Sequence, residues 1–214
     1  PVKIGCEVKG FDPENVMERK AARRTSRYIH LAVGAAREAV ENSGLDIPAE
    51  GDRVGASIAS GIGGMDMQQA AHEHYLERGI GRFSPFWTPG IIPNMAAGYV
   101  SMEFGTRGPL AASSTACAAS SMAIGDAVMY IRAGMADAML AGGSECGLTP
   151  VGVGGFHGIR ACSTRNDDPE GASRPFDATR DGIVLGEGST VLVLEELEHA
   201  LIRGATILAE ITGY

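Results

Sequence analysis

The chain has 214 residues, of which 44% are hydrophobic and 21% are charged, values typical of a soluble globular protein that buries a core in one large domain. Its formal net charge of minus 8 argues against a general nucleic-acid binder, because neutralising phosphates requires clustered surplus Lys and Arg. No run approaches the ~18 apolar residues of a membrane helix, and the first residues do not open a signal peptide, so we expect a cytoplasmic enzyme.

The first predicted element is a helix that Ser26 can cap, with apolar residues at helical spacing and an end at residues 42–44. A short apolar strand at 53–60 follows and ends in the glycine-rich loop 61–64. The next predicted element is a helix over residues 66–77.

The rest of the chain also alternates between helices and strands, after an aromatic loop that contains prolines at 83–89. Strands that are apolar enough to be buried on both faces, and are separated by helices, predict a layered α/β protein with a mixed, mainly parallel sheet. The later predicted elements are a helix at 92–104, a buried strand at 108–112, a helix at 118–131, strands at 137–143 and 190–195, a helix at 197–203 and a strand at 207–211.

Cys117 is the first candidate functional residue, because it lies where the predicted strand 108–112 turns into the predicted helix 118–131. Unpaired backbone N–H groups at a helix N-terminus favour a negative charge by roughly 0.3–1 kcal/mol, which biases a thiol toward thiolate. The small residues around it, Ala116, Ala118 and Ala119, leave space for a substrate chain. The local sequence leaves a second interpretation open, a buried structural cysteine.

The other cysteines lie far from Cys117 and from one another, without metal-site or disulfide spacing, so we expect free thiols and no zinc. They are Cys6, Cys146 and Cys162. His72 and His74 do not suggest a metal pair, because residues two apart on a helix point to different sides, and we expect them to face solvent. The glycine-rich run 152–156 lacks the Lys-Ser/Thr of a phosphate-binding P-loop.

A basic cluster near the N-terminus runs against the overall acidic charge. A cluster of this kind can dock an acidic partner, but charge pattern alone favours a solvated helix face. Its members are Arg19, Lys20, Arg23, Arg24 and Arg27.

Eleven short motifs occur in an order that resembles the elongating β-ketoacyl-acyl carrier protein synthases, KAS I and II, and the ketosynthase domains of polyketide synthases. Each motif is weak alone, but their order is specific and spans nearly the whole chain. They lie at residues 60–64, 84–86, 94–95, 105–109, 115–117, 141–145, 152–156, 163–167, 174–177, 180–182 and 186–188.

The resemblance implies the thiolase-like fold, in which two similar α/β halves pack together, usually in a homodimer. Residues 1–214 correspond to the N-terminal half, which we expect to be incomplete at both ends and inactive in condensation by itself. The family's two catalytic histidine motifs lie in the other half, and the present histidines match neither. They are His30, His72, His74, His157 and His199.

The resemblance also implies a chemistry that needs no cofactor or metal. Cys117 would accept an acyl group from acyl carrier protein, whose phosphopantetheine arm carries acyl and malonyl groups, for decarboxylative condensation in fatty acid biosynthesis. The backbone N–H of Cys117 would donate to the developing oxyanion.

Further residue roles follow from the same resemblance. Ile62, Trp87 and Phe156 match positions that line or gate the acyl pocket, although Trp87 replaces a more usual phenylalanine and all three also suit a structural core. The residues that match contacts of acyl carrier protein are Lys20, Arg23, Arg24 and Arg160.

Three alternatives to a fatty acid synthase segment stay open at this point. One is a polyketide ketosynthase segment, and another is a noncatalytic half-synthase that binds a partner. The third is a degradative thiolase, which the runs at 163–167 and 174–177 disfavour.

Overall fold

The computed structural model describes the backbone of residues 1–214 and every side chain except that of Arg82. Its centre is a four-stranded sheet with the strand order β2-β1-β3-β4. The strands are β1 (Val54–Ala59), β2 (Leu110–Ala111), β3 (Ala138–Cys146) and β4 (Glu187–Glu195). β1 is parallel to β2 and β3, whereas β4 is antiparallel to β3, which confirms the predicted mixed, mainly parallel sheet.

Helices cover both faces of this sheet. They are α1 (Arg19–Ala22), α2 (Arg27–Ser43), α3 (Ile47–Glu50), α4 (Met65–Arg78), α5 (Trp87–Ile91), α6 (Met95–Phe104), α7 (Ala119–Arg132), α8 (Pro150–Gly158) and α9 (Leu197–Ile202). None of the described helices is both long and apolar enough to cross a membrane.

The alternation of side chains along the strands assigns the helices to the two faces. Ile58 and Leu140 join a core cluster with α2 and α6. Met139 and Ala141 point the other way and pack with α7. Every residue of β1 is buried, as its apolar run predicted, whereas in β4 only Val191 is buried and Leu192 is 42% exposed.

The N-terminus of α2 is held by α4 and not by the predicted cap. The Ser26 side chain makes no hydrogen bond to the first turn of α2. It donates instead to Asp66, whose second carboxylate oxygen accepts from the Arg27 backbone N–H at 3.1 Å. Asp66 therefore supplies the acceptor that the sequence had assigned to Ser26. The predicted end of the helix is confirmed, since Gly44 adopts a left-handed φ of 64°.

Three other predicted elements differ from the structure. The strand predicted at 108–112 is two residues long and lies at the sheet edge, where Leu110 is 55% exposed, so it is not buried. The helix predicted at 92–104 begins only at Met95, because Ile92 has the extended conformation that a residue before proline favours. The strand predicted at 207–211 is absent from the described structure, and Leu208 in that segment is 92% exposed, so nothing in the sheet pairs with it.

Candidate active site

Cys117 lies in a single 3₁₀ turn, Ala116–Ala118, between β2 and the 14-residue helix α7. Ala116 has a φ of 51°, in the left-handed region that costs an L-residue about 1–2 kcal/mol. The chain therefore turns sharply, as predicted, and presents Cys117 at the start of α7. The Cys117 thiol is free and exposed, so the alternative of a buried structural cysteine does not fit this conformation.

The glycine-rich loop after β1 is pressed against this turn. A Cβ atom on Gly61 would lie 3.3 Å from the Ala116 carbonyl oxygen and 3.0 Å from Glu145 Oε2. The Gly61 backbone N–H donates to the same Glu145 oxygen at 2.7 Å, and Ser60 Oγ donates to Glu145 Oε1 at 3.2 Å. Glu145 at the end of β3 therefore anchors the loop that touches the Cys117 turn.

The first turn of α7 sits directly on the ends of β1 and β3. A Cβ atom on Gly143 would lie 2.0 Å from Ser120 Oγ and 3.1 Å from the Ala59 carbonyl oxygen. Ala59, Ala119 and Ala123 form a small buried cluster beside it. Small residues are required here because the helix and the two strands approach closely.

A second carboxylate reaches the segment just before Cys117. Ser113 Oγ donates to Asp126 Oδ2 at 2.5 Å, and the hydrogen bond is partly buried. Ser113 belongs to residues 112–115, which have no regular structure, whereas Asp126 lies within α7. Sequence patterns had not singled out Ser113, Asp126 or Glu145.

The three residues predicted to line the acyl pocket lie on different elements. Ile62, in the loop after β1, is 38% exposed, Trp87 begins α5, and Phe156 lies half-buried on α8. A cavity of about 290 Å³ is lined by Trp87 but not by Ile62 or Phe156. The described structure therefore does not gather the three side chains around one cavity.

The Trp87 cavity contains two unusual polar atoms. Trp87 Nε1 and His74 Nε2 are both buried, and neither has a hydrogen-bond partner among the described residues. Met67 and Phe83 supply apolar walls, and the Phe83 ring meets Trp87 edge to face with centroids 5.4 Å apart. The expectation that His74 faces solvent is wrong, because α4 turns this side chain into the cavity.

Most of the basic cluster is accessible. Lys20 and Arg23 are exposed, Arg24 is half-buried with its guanidinium 4.3 Å from the Phe86 ring centroid, and Arg160 is exposed just after α8. Arg27 does not belong to this surface, because its guanidinium contacts Glu187.

Glu187 is the centre of a polar network between the N-terminal segment and the sheet. Its side chain is 2% exposed, and it accepts hydrogen bonds from Arg27 Nη2 at 2.7 Å, from the Val8 backbone N–H at 3.0 Å and from the Cys146 thiol at 3.1 Å. Burial works to raise the pKa of Glu187, but hydrogen bonds led by that from Arg27 hold it below its ordinary value. Burial, followed by the hydrogen bond to Glu187, raises the pKa of the Cys146 thiol, which therefore stays protonated and unreactive.

Metal-ligating side chains are dispersed in this fold. Among the described residues, no group of three or more His, Cys, Asp and Glu side chains is placed to hold a metal ion. All four cysteines are free, and Cys6 is exposed like Cys117.

Known proteins share this arrangement of strands, turn and helix. The family described as "Beta-ketoacyl synthase, N-terminal domain" matches residues 3–200. A 3-oxoacyl-[acyl-carrier-protein] synthase 2 of Coxiella burnetii is 48% identical over 215 residues, which cover 100% of this chain and 52% of the relative. The chain therefore spans about half the length of the curated relatives it matches.

Two solved structures show the same fold. A β-ketoacyl synthase from Burkholderia phymatum superposes with a TM-score of 0.86 and 37% sequence identity, covering 95% of this chain and 50% of that one. A type II polyketide acyl carrier protein in complex with its ketosynthase, bound to the hexaketide, superposes with a TM-score of 0.80 and 27% identity, covering 97% and 57%. The fold is thus thiolase-like, with the present residues matching about half of each solved chain.

Proposed function

Because the chain belongs to the β-ketoacyl synthase family, we propose that it forms the N-terminal half of a 3-oxoacyl-acyl carrier protein synthase that elongates fatty acids. The observation that carries this proposal is the exposed Cys117 thiol at the start of α7, on a turn that a left-handed Ala116 makes abrupt.

Cys117 is the nucleophile in this proposal. Its thiolate is the attacking species, and it lies at the N-terminal end of α7. The thiolate attacks the acyl carbonyl of a carrier-bound thioester, a new C–S bond forms, and the bond to the carrier's phosphopantetheine sulfur breaks, so that this sulfur leaves as a thiolate and takes up a proton. The acyl chain is then held on the protein, where its reaction with a second substrate is effectively intramolecular.

The backbone N–H of Cys117 is proposed to stabilise the tetrahedral intermediate. No acceptor for this N–H is found among the hydrogen bonds of the described residues. A free amide beside the attacked carbonyl is what an oxyanion hole requires. The second substrate, a malonyl thioester, loses CO₂, and the resulting carbanion attacks the acyl carbon and releases Cys117.

Decarboxylation and condensation need groups that we place outside residues 1–214. His199 Nδ1 lies 2.6 Å from Glu195 Oε1 and its Nε2 lies 3.1 Å from Glu50 Oε2, and His30 is buried beside Ala22 and Thr25. His74 lines the Trp87 cavity. These histidines have structural surroundings of their own, so we propose that residues 1–214 alone do not condense substrates.

Acyl carrier protein is the proposed macromolecular partner. Lys20, Arg23 and Arg160 are exposed, and Arg24 is fixed over Phe86. These cations attract an acidic carrier even though the chain carries a net charge of minus 8. The solved ketosynthase in complex with its carrier protein is a structural neighbour that supports this choice.

We further propose that Ile62, Trp87 and Phe156 contact the acyl chain when the protein is complete. The unpaired outer edge of β2, where Leu110 is 55% exposed, supports a homodimer, because an exposed strand edge is a template for pairing with another chain. We place the protein in the cytoplasm.

Polyketide synthesis is the second candidate function. The polyketide neighbour favours it, at a lower sequence identity of 27%.

Labelling of the complete protein by a cysteine-directed inhibitor of condensing enzymes tests the proposal. Peptide mapping should find the label on Cys117, and Cys6→Ala should leave labelling unchanged. A label confined to Cys6, Cys146 or Cys162 would contradict the proposal. Residues 1–214 alone should show no decarboxylation or condensation, and turnover by that segment would disprove its catalytic incompleteness.

A further inference from the structure

The hydrogen bond between Ser113 and Asp126 closes a loop of the chain around Cys117. Ser113 precedes Cys117 by four residues, and Asp126 follows it by nine, so one bond of 2.5 Å joins the incoming segment to the outgoing helix. The bond is partly buried, and its acceptor is a carboxylate. Hydrogen bonds to ionised groups are roughly twice as strong as those between neutral groups.

The segment that this bond holds has few other restraints. Residues 112–115 have no helical or strand structure, and Ser113 is the one residue among them whose side chain forms a hydrogen bond among those described. Ala116 directly afterwards has its left-handed φ of 51°. A strained backbone of this kind persists only when its surroundings determine it.

The loop after β1 also restrains the Cys117 turn. Gly61 approaches the Ala116 carbonyl oxygen, and Glu145 fixes the backbone of Gly61. The Cys117 turn is therefore held by Glu145 through the loop after β1 and by Asp126 through Ser113.

We propose that Ser113 and Asp126 are positioning residues for Cys117, which hold the strained turn so that the thiol stays at the N-terminal end of α7. This inference rests on the proposed function of Cys117. Neither residue touches the reacting atoms. Without the bond, the incoming segment is free to relax Ala116 out of its left-handed conformation, which moves the thiol off the helix end that stabilises its thiolate.

Alkylation of two exposed cysteines in the complete protein tests this directly. Iodoacetamide reacts with thiolates, and Cys6 provides an internal reference because it is also exposed. The rate constants at Cys117 and Cys6 are measured by peptide mass spectrometry over a series of pH values. Ser113→Ala should lower the Cys117 rate about two- to fivefold, the factor that corresponds to losing the favourable effect of a helix N-terminus on a thiolate, and should leave the Cys6 rate unchanged.

Three further variants separate positioning from general stability. Ser113→Thr retains a hydroxyl donor and should restore the Cys117 rate. Ser114→Ala is the matched control, because Ser114 is exposed in the same segment and makes no side-chain hydrogen bond among those described. Asp126→Asn should cause a smaller fall than Ser113→Ala, and combining both substitutions should cost no more than Ser113→Ala alone.

An unchanged Cys117 rate in Ser113→Ala overturns the inference, and so does an equal fall at Cys117 and Cys6, because such an effect is not specific to the Cys117 turn. Acyl loading retained by Cys117→Ala would refute the proposed function, yet the alkylation rates would still decide the role of Ser113. In acyl transfer, Ser113→Ala should lower kcat with the KM for acyl carrier protein unchanged.

Discussion

Glu145 and Gly61, 84 residues apart in the chain, are joined by a 2.7 Å hydrogen bond from the Gly61 backbone N–H to Glu145 Oε2. The bond ties the loop after β1 to the end of the neighbouring parallel strand β3. Because Gly61 also lies against the Ala116 carbonyl, the sheet is connected mechanically to the turn that carries Cys117.

Gly61→Ala should disturb Cys117 with little harm elsewhere. The added methyl would lie 3.0 Å from Glu145 Oε2 and 3.3 Å from the Ala116 oxygen, so these neighbours must give way by a few tenths of an ångström. We expect slower alkylation of Cys117 and a loss of about 1–3 kcal/mol in the free energy of unfolding, measured by urea denaturation. Gly188→Ala is the control, since a Cβ there meets nothing within 4 Å; equal behaviour of the two variants would rule out the steric argument.

Glu145→Ala should destabilise the protein more than Glu145→Gln. Alanine leaves the Gly61 N–H and the Ser60 hydroxyl without their acceptor, at a cost of about 2 kcal/mol, whereas glutamine keeps one acceptor oxygen. Chemical denaturation compares the two. Equal stability of Glu145→Ala and the parent protein would show that the carboxylate does not hold this loop.

Removing Glu187 should be the most damaging of the charge substitutions. Glu187→Ala leaves the partly exposed Arg27 guanidinium with only the Val8 carbonyl oxygen as a partner, and losing hydrogen bonds to a charged group costs about 1.5–3 kcal/mol. The control is Asp52→Asn, which breaks an exposed pair with Arg107 and should barely change the denaturation midpoint. A Glu187→Ala protein as stable as the parent would show that this network does not stabilise the fold.

The Glu187 network also predicts acid sensitivity. The pKa of Glu187 in the folded protein is below its ordinary value of 4.5, so the stabilisation is fully present above pH 4.5 and is lost as the pH falls through the lower folded value. Denaturation midpoints between pH 7 and pH 3 should fall more steeply for the parent protein than for Glu187→Gln. Parallel curves would disprove this linkage.

His30 should make the stability of the protein depend on pH in a higher pH range than Glu187 does. Burial lowers its pKa from the ordinary value of 6.5, so the folded protein binds this proton less readily than the unfolded chain. The contribution of His30 to the free energy of unfolding is therefore fully present above pH 6.5 and declines as the pH falls toward the folded pKa. His30→Gln should flatten the change in midpoint between pH 7.5 and pH 5.5, whereas the exposed control His72→Gln should leave it unaltered.

Charge reversal in the basic cluster should weaken binding of acyl carrier protein. Lys20 and Arg23 are exposed, so Lys20→Glu with Arg23→Glu changes charge without removing core contacts. We expect association to slow about tenfold at low salt, and the difference to shrink at high salt. Lys9→Glu changes an exposed residue outside the cluster and is the control for a general charge effect. Surface plasmon resonance measures the association of the parent protein, the double variant and this control. Unchanged association in the double variant would remove this surface from the account.

Sequence patterns predicted the sheet because β1 and β3 are continuous apolar runs between helices. They also predicted the start of α7, since the change from the strand near Leu110 to small helical residues is local. Leu110 itself was wrongly expected to be buried, because an edge strand and an inner strand have similar sequences. The difference lies in the neighbours that the fold supplies.

The residues that support Cys117 were harder to predict. Glu145 and Gly61 meet only through the parallel register of β1 and β3, which the sequence does not specify. A carboxylate two residues beyond the predicted strand 137–143 was the available signal for Glu145. Ser113 and Asp126 meet because the chain reverses at Ala116, and that left-handed conformation is unexpected for alanine.

Acyl loading in the complete protein is the decisive measurement for Cys117 as the nucleophile. The protein is mixed with acyl carrier protein that bears an acyl thioester. Its intact mass shows how many acyl groups are added, and peptide mapping then locates them. We expect one added acyl group on Cys117 in the parent protein and in Cys6→Ala, and none in a folded Cys117→Ala. Acylation that persists in Cys117→Ala would contradict this assignment.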